Sequence, residues 1–275
     1  FYMKTRIKEI AAFLVIAVCV AAFAVIYALP VVFSTDEIEN RLWMNVVPRI
    51  LLGAAVFTLV LICGYGGIFK IKKEGLAKNI LWCLPCLAVA LANFPYSALA
   101  DGEAQILRPD LVWLFLLKCL FIAISEELLF RAIVLGFLQE TFKKRAHRTL
   151  ICILISSALF SVFHLLNLIE GAGLGATVLQ AGYTFLTGIM FAAVTLKTGN
   201  IWAAVVLHFI FDVGGLIVTD LGQGAFQDTV FWVLTAVCAA VCAVHLIIYA
   251  INTDRSERTA DVQAKNTESK HEGQD

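Results

Sequence analysis

Residues 111–139 read LVWLFLLKCLFIAISEELLFRAIVLGFLQ. Twenty-nine residues of this composition are longer than the ~20 an α-helix needs to cross a ~30 Å hydrocarbon layer. Yet Glu126, Glu127 and Arg131 sit in the middle of the run. A charge at bilayer depth costs at least ~2.5–3.5 kcal/mol on insertion scales, so such groups are rare and mark a functional site by default. The segment therefore reads as a membrane helix built around chemistry.

The rest of the chain agrees. Of 275 residues, 60% are hydrophobic and 15% charged, against about 25% charged in soluble domains, and the mean hydropathy is +0.86. Net charge is zero, so there is no basic surface for nucleic acid. Eight apolar stretches are expected to span the membrane, at 10–33, 46–68, 79–99, 111–139, 149–169, 177–196, 201–219 and 229–251. The fold class is an all-α membrane protein, eight transmembrane helices around an intramembrane cavity, with residues 1–251 as one domain. The first stretch is too long for a signal-peptide core and is read as a retained span, with Met3 as the expected start. Pro48, Pro85 and Pro95 mark kinks or helix ends.

Basic residues collect on alternate connections. Lys4, Arg6 and Lys8, then Lys70, Lys72, Lys73 and Lys78, then Lys143, Lys144, Arg145 and Arg148 fall on one side. Asp36, Glu37 and Glu39, and Asp101, Glu103 and Asp110, fall on the other. The positive-inside rule puts the basic loops and both termini in the cytoplasm. Residues 252–275 are polar and poor in large apolar groups, which predicts a disordered cytoplasmic tail. All eight cysteines lie in or beside apolar segments and read as packing residues, Cys83 and Cys86 included. Lys118 is expected to snorkel toward the outer surface, with a counter-ion role as the alternative.

Within the fourth span, Glu127 and Arg131 are i and i+4, acid first, the favourable order for a side-chain pair. Glu126 points about 100° away and is left to take a proton from water. The fifth span supplies His164 four residues after Phe160, with Asn167 three residues further on to orient it. The seventh supplies His208 and Asp212, again i and i+4. A glutamate and two histidines on three helices are the residue types of a zinc site with Glu126, His164 and His208 as ligands. They equally suit a metal-free scheme, in which Glu126 and His164 activate water while His208 and Asp212 hold the oxyanion. One geometric demand stands out. At 1.5 Å per residue, Glu126 and His164 lie ~25 Å from their cytoplasmic loops, but His208 only ~12 Å, so tilt must bring them level.

Glu-Glu-x-x-x-Arg at 126–131, Phe-x-x-x-His at 160–164 and His-x-x-x-Asp at 208–212, in this order on apolar spans, resemble the CAAX-protease and bacteriocin-processing (CPBP, Abi) family of intramembrane proteases. The resemblance covers about residues 110–220. It implies an eight-helix bundle with a catalytic cavity and peptide-bond hydrolysis near the membrane. Glu126 and His164 would activate water, and His208 with the residue at 212 would polarise the scissile carbonyl. Many members carry Asn where this chain has Asp212. An amide donates to an oxyanion, whereas a carboxylate must be protonated, orient His208, or ligate a metal.

The expected partners are membrane lipids and a peptide or lipid-anchored protein substrate, with no cofactor beyond the candidate zinc. Compact length and sparse loops point to a bacterial cytoplasmic membrane. The competing readings are a non-catalytic peptide-binding immunity or regulatory protein, and an ion-coupled transporter.

Overall fold

The structure, a computed structural model, is described over residues 31–168 and 171–272. The expected first span therefore lies almost wholly outside the described residues. Helix α1, Glu37–Ile62, begins nine residues before the expected second span, because Asp36 caps it by accepting from the Glu39 N–H and acids fill its first turn. Arg108 fastens the same carboxylate from across the chain, at 2.8 Å. Together the Glu39 N–H and then Arg108 hold the Asp36 carboxyl below its ordinary value.

The expected third span is broken into α2 (Leu76–Trp82), α3 (Leu84–Ala92) and α4 (Tyr96–Ala100). Pro85 falls in the first turn of α3 and Pro95 starts α4. Proline has no N–H to continue a helical ladder, so each break has a local cause. The expected fourth span is a rod in three pieces: α5 (Val112–Glu127), a π-helical turn (Leu128–Val134) and α6 (Leu135–Thr141).

The fifth span is α7 (Arg148–Phe163), tightening into a 3-10 turn at His164–Leu168. Helices α8 (Leu174–Thr198), α9 (Trp202–Leu221) and α10 (Thr229–Glu272) complete the chain. Among the described residues, five helices are long and apolar enough to cross a membrane: α1, α7 with its 3-10 turn, α8, α9 and the first part of α10. The all-α membrane class stands; the count of eight spans is not carried by the described residues. Strands Ala104–Ile106 and Gly222–Gly224 pair antiparallel, tying the loop before α5 to the end of α9.

Large apolar side chains face outward along α7, α8 and α10, among them Leu154, Leu159, Leu186, Val237 and Ile248. Only 17% of the apolar window of α10 is buried within the chain, as a helix in contact with lipid requires. Inside, Leu42 and Val46 of α1, Leu114, Phe115 and Cys119 of α5, and Leu221 of α9 form one buried cluster. Helices α1, α5 and α9 thus pack on one another, which sets α9 directly beside the charged segment of α5.

Helix α9 also meets the broken third segment at backbone distance. A Cβ on Gly214 would lie 2.8 Å from the carbonyl carbon and oxygen of Asn93. The Asn93 amide donates to the Phe211 carbonyl at 2.8 Å.

Lys118 is buried and pairs with Asp220 of α9 at 2.6 Å. Helix α10 runs past residue 251 to Glu272. Its Glu257 takes Arg148 at 3.2 Å and Thr149 Oγ1 at 2.5 Å, and Asp254 takes His147 at 2.5 Å. These contacts supply partners that composition alone does not reveal.

Candidate functional site

The π-helical turn starts immediately after Glu126 and Glu127 and contains Arg131. Such turns are rare and recur at functional sites. Glu127 and Arg131 are both fully buried and form the expected i,i+4 ion pair, Nε to Oε2 at 3.1 Å. The guanidinium lies 4.6 Å from the Phe160 ring centroid and 5.6 Å from that of Phe191. A weakly hydrated, planar cation against two aromatic faces loses less on leaving water than an ammonium would.

Glu127 has a second role that sequence spacing does not show. Its Oε1 accepts from Nδ1 of His208 at 2.9 Å. One carboxylate therefore bridges Arg131 on its own rod and His208 on α9, fixing which nitrogen of His208 faces the site. The ring is held flat by Phe191, stacked at 4.9 Å and 19°, and edge-on by Phe160 at 6.0 Å. Its Nε2 lies 3.5 Å from Asp212 Oδ2 and 3.8 Å from Glu126 Oε2. Both oxygens are buried and make no hydrogen bond among the described residues. Since Nδ1–H is committed to Glu127, Nε2 is the nitrogen of His208 that faces these two carboxylates.

His164 stands at the end of α7, where the α-helix becomes 3-10. Its Nδ1 is 2.9 Å from the Phe160 carbonyl. An oxygen of that kind only accepts, so Nδ1 carries the proton and neutral His164 presents Nε2 as an acceptor. Asn167 does not orient it: its amide donates to Gln180 of α8 at 2.8 Å. A 3-10 turn keeps residues i and i+3 on one face, but the Asn167 amide is spent on α8.

His164 and Glu126 line one cleft, together with Arg49, Leu52, Ser125, Leu129, Phe163, Leu166 and Asn167. The expected groups thus gather as two linked sets: Glu126, Glu127, Arg131, His208 and Asp212 around the imidazole, and Glu126 with His164 along the cleft. Glu126 belongs to both. The level difference expected for His208 is absorbed, since α9 brings it against Glu126 and Glu127.

Among the described residues no three His, Cys, Asp or Glu side chains converge as a metal-holding group. The Nδ1 atoms of both histidines are held by protein oxygens, which leaves Nε2 of each as the nitrogen that would meet a ligand. As placed, Glu126, His164 and His208 lack the convergence a zinc site needs.

Three participants escape a sequence reading: Arg49, Phe191 and Gln180. For Arg49 a signal existed, an arginine inside an apolar helix four residues after Asn45.

Buried carboxylates and imidazoles beside a cleft in an α-helical membrane protein are residue types that intramembrane hydrolysis and proton handling both use. The comparisons narrow the class. Residues 108–214 match the family model of the type II CAAX prenyl endopeptidase Rce1-like proteins, so this segment carries an Rce1-like domain of the CAAX-protease kind. That match supports a membrane endopeptidase. No curated protein and no solved structure matches the chain.

Proposed function

We propose that the protein is an intramembrane endopeptidase that hydrolyses a peptide bond of a peptide or lipid-anchored protein at the membrane. The observation that carries this reading is the meeting of Glu126 with His164 on one cleft and with His208 on the other side.

In this scheme Glu126 accepts a proton from the attacking water, and Nε2 of His164 accepts its second hydrogen bond. The scissile carbonyl oxygen comes to the Nε2 side of His208. The imidazole is held there by Glu127, so its donor is oriented before charge develops. Asp212 acts on His208 rather than on the oxyanion, because a carboxylate 3.5 Å from Nε2 supports a protonated imidazole. The cation Lys118 and the guanidinium of Arg49 are within electrostatic reach of Asp212 and offset part of its charge. Glu126 then returns its proton to the leaving amine. Arg131 and Glu127 position; they do not touch the substrate. By charge asymmetry of the loops, both termini face the cytoplasm, and a bacterial cytoplasmic membrane is the proposed location.

The test is turnover of peptide substrates by the purified full chain in nanodiscs. Glu126→Gln and His164→Ala should each lower kcat by about 10²–10⁴ with the fold intact by circular dichroism. Unchanged turnover in either variant sinks the scheme. Tight peptide binding without turnover in the unaltered protein would favour a peptide-gripping regulatory protein instead.

A further inference from the structure

Two sulfurs that the hydrolytic scheme does not use touch across helices. Cys86 lies in the first turn of α3, and Cys242 in the membrane-spanning part of α10. Their Sγ atoms stand 3.8 Å apart, although the residues are 156 apart in the chain. Both are buried, both are free thiols, and both belong to one apolar cluster with Phe191 of α8 and Leu207 of α9. A buried thiol alone serves as a packing group. Two in contact can be joined by one oxidation, and the disulfide bond of about 2.0 Å asks the sulfurs to close by roughly 1.8 Å. Cys86 also ends the stretch Cys83-Leu-Pro-Cys86, whose spacing is that of a redox pair.

We propose that Cys86 and Cys242 are a redox-active pair, which a lipid-soluble hydroperoxide converts to an interhelical disulfide that clamps α10 to α3 and slows hydrolysis. The slowing rests on the endopeptidase reading. The clamp stands alone.

The step balances without any group beyond the hydroperoxide. One sulfur, as thiolate, attacks the peroxide, the O–O bond breaks, and the remainder leaves as an alcohol after taking up the thiol's proton. The second sulfur attacks the sulfenic acid so formed. The S–S bond forms, the S–O bond breaks, and the hydroxyl leaves as water with the second proton. The two thiols lose two electrons and the hydroperoxide gains them. A lipid-soluble oxidant suits the place, because α10 gives most of its apolar surface to lipid and a charged one is excluded at that depth.

The clamp has two short routes to the site. Helix α3 packs on both α10 and α9, and just beyond its end Asn93 holds the Phe211 carbonyl of α9 at 2.8 Å. Within the shared cluster, Phe191 is the ring stacked on His208. Misplacing a reacting group by about 1 Å can lower a rate by ~10²-fold.

The test uses the full chain in nanodiscs, titrated with cumene hydroperoxide. Maleimide labelling in denaturant, read by mass, should show two thiols lost from the eight of the reduced chain. A non-reduced digest should contain Cys86 joined to Cys242. The oxidised protein should melt at least about 4 °C higher, and its kcat should fall at least about threefold. Tributylphosphine, which enters lipid, should reverse both. Cys86→Ala or Cys242→Ala should abolish the response, whereas Cys83→Ala and Cys238→Ala should leave it. The link itself is mapped on the unaltered chain, so the outcome does not hang on how a variant folds.

A chain that keeps all its thiols, stops at sulfenic acid, or joins Cys86 to Cys83 overturns the inference. So does a Cys86–Cys242 link with an unchanged melting point. A link that raises the melting point but leaves kcat unchanged overturns the slowing. A link that raises the melting point, with no turnover in either redox state, sinks the endopeptidase reading alone.

Discussion

Replacing Glu127 by glutamine keeps the volume and removes the charge that joins α9 to the α5 rod. Glu127 is fully buried and faces Arg131 at 3.1 Å and His208 at 2.9 Å. The guanidinium would then be a buried cation against two aromatic rings, with only Glu126 left on its own rod as a carboxylate within electrostatic reach. Breaking one side of a buried pair costs about 3–5 kcal/mol. Loss of the charged acceptor for His208 adds about 1.5–3 kcal/mol, partly overlapping because one group serves both. Against the ~5–15 kcal/mol of a typical folded protein, Glu127→Gln should lower the thermal midpoint by many degrees in detergent. Glu126→Gln should leave it nearly unchanged, because its side chain is partly exposed and its Oε2 makes no hydrogen bond. The double variant Glu127→Leu with Arg131→Met should be more stable than Glu127→Leu alone, since no unpaired charge remains. Thermal unfolding followed by intrinsic fluorescence, with turnover measured in parallel, reads all four variants against the unaltered protein. The bridging role of Glu127 is refuted if Glu127→Gln melts with the unaltered protein, or if Glu126→Gln loses as much stability.

Three further outcomes are expected. Gly214→Ala should destabilise by about 1–3 kcal/mol and raise KM, because the added carbon meets the Asn93 backbone, which cannot swing away; a neutral substitution would mean α9 and the α3–α4 break are not in contact. Asp36, whose pKa is depressed by the Glu39 N–H and then Arg108, contributes stability that is fully present above its ordinary 3.8 and lost as pH falls through the folded value. Melting scanned from pH 6 to pH 3 should show that loss in the unaltered protein and a smaller one in Asp36→Asn. Chelation by phenanthroline should leave turnover within about twofold, since the donors do not converge on a metal; activity lost on chelation and restored by zinc would overturn that arrangement.

Two short-range pairs were legible from spacing alone. Glu127 with Arg131 and His208 with Asp212 are each one helical turn apart, and each pair lies together at 3.1 and 3.5 Å. What spacing could not supply is the bond between Glu127 and His208, eighty-one residues apart in the chain. It depends on how α9 lies on α5, and that depends on a backbone contact at Gly214 and a buried cluster near Leu221. What orients His164 was missed because Asn167, although it shares the face of His164 in a 3-10 turn, gives its amide to Gln180 of α8 instead. The breaks in the third segment were not legible for a different reason: apolar composition says nothing of whether proline will split a helix or merely bend it. Arg49 was passed over because one cation in a long apolar segment carries little weight until its neighbours across the cleft are seen.

The π-helical turn at Leu128–Val134 holds one residue more than an ordinary α-helical ladder would over the same stretch. Dropping one residue there would let the ladder close while Leu135 and Leu138, now in the interior, keep nearly the same facing. The change would fall on Arg131, whose place relative to Glu127 would shift. Length variation at this one spot is therefore a route by which related chains can loosen the buried ion pair and still insert as membrane helices.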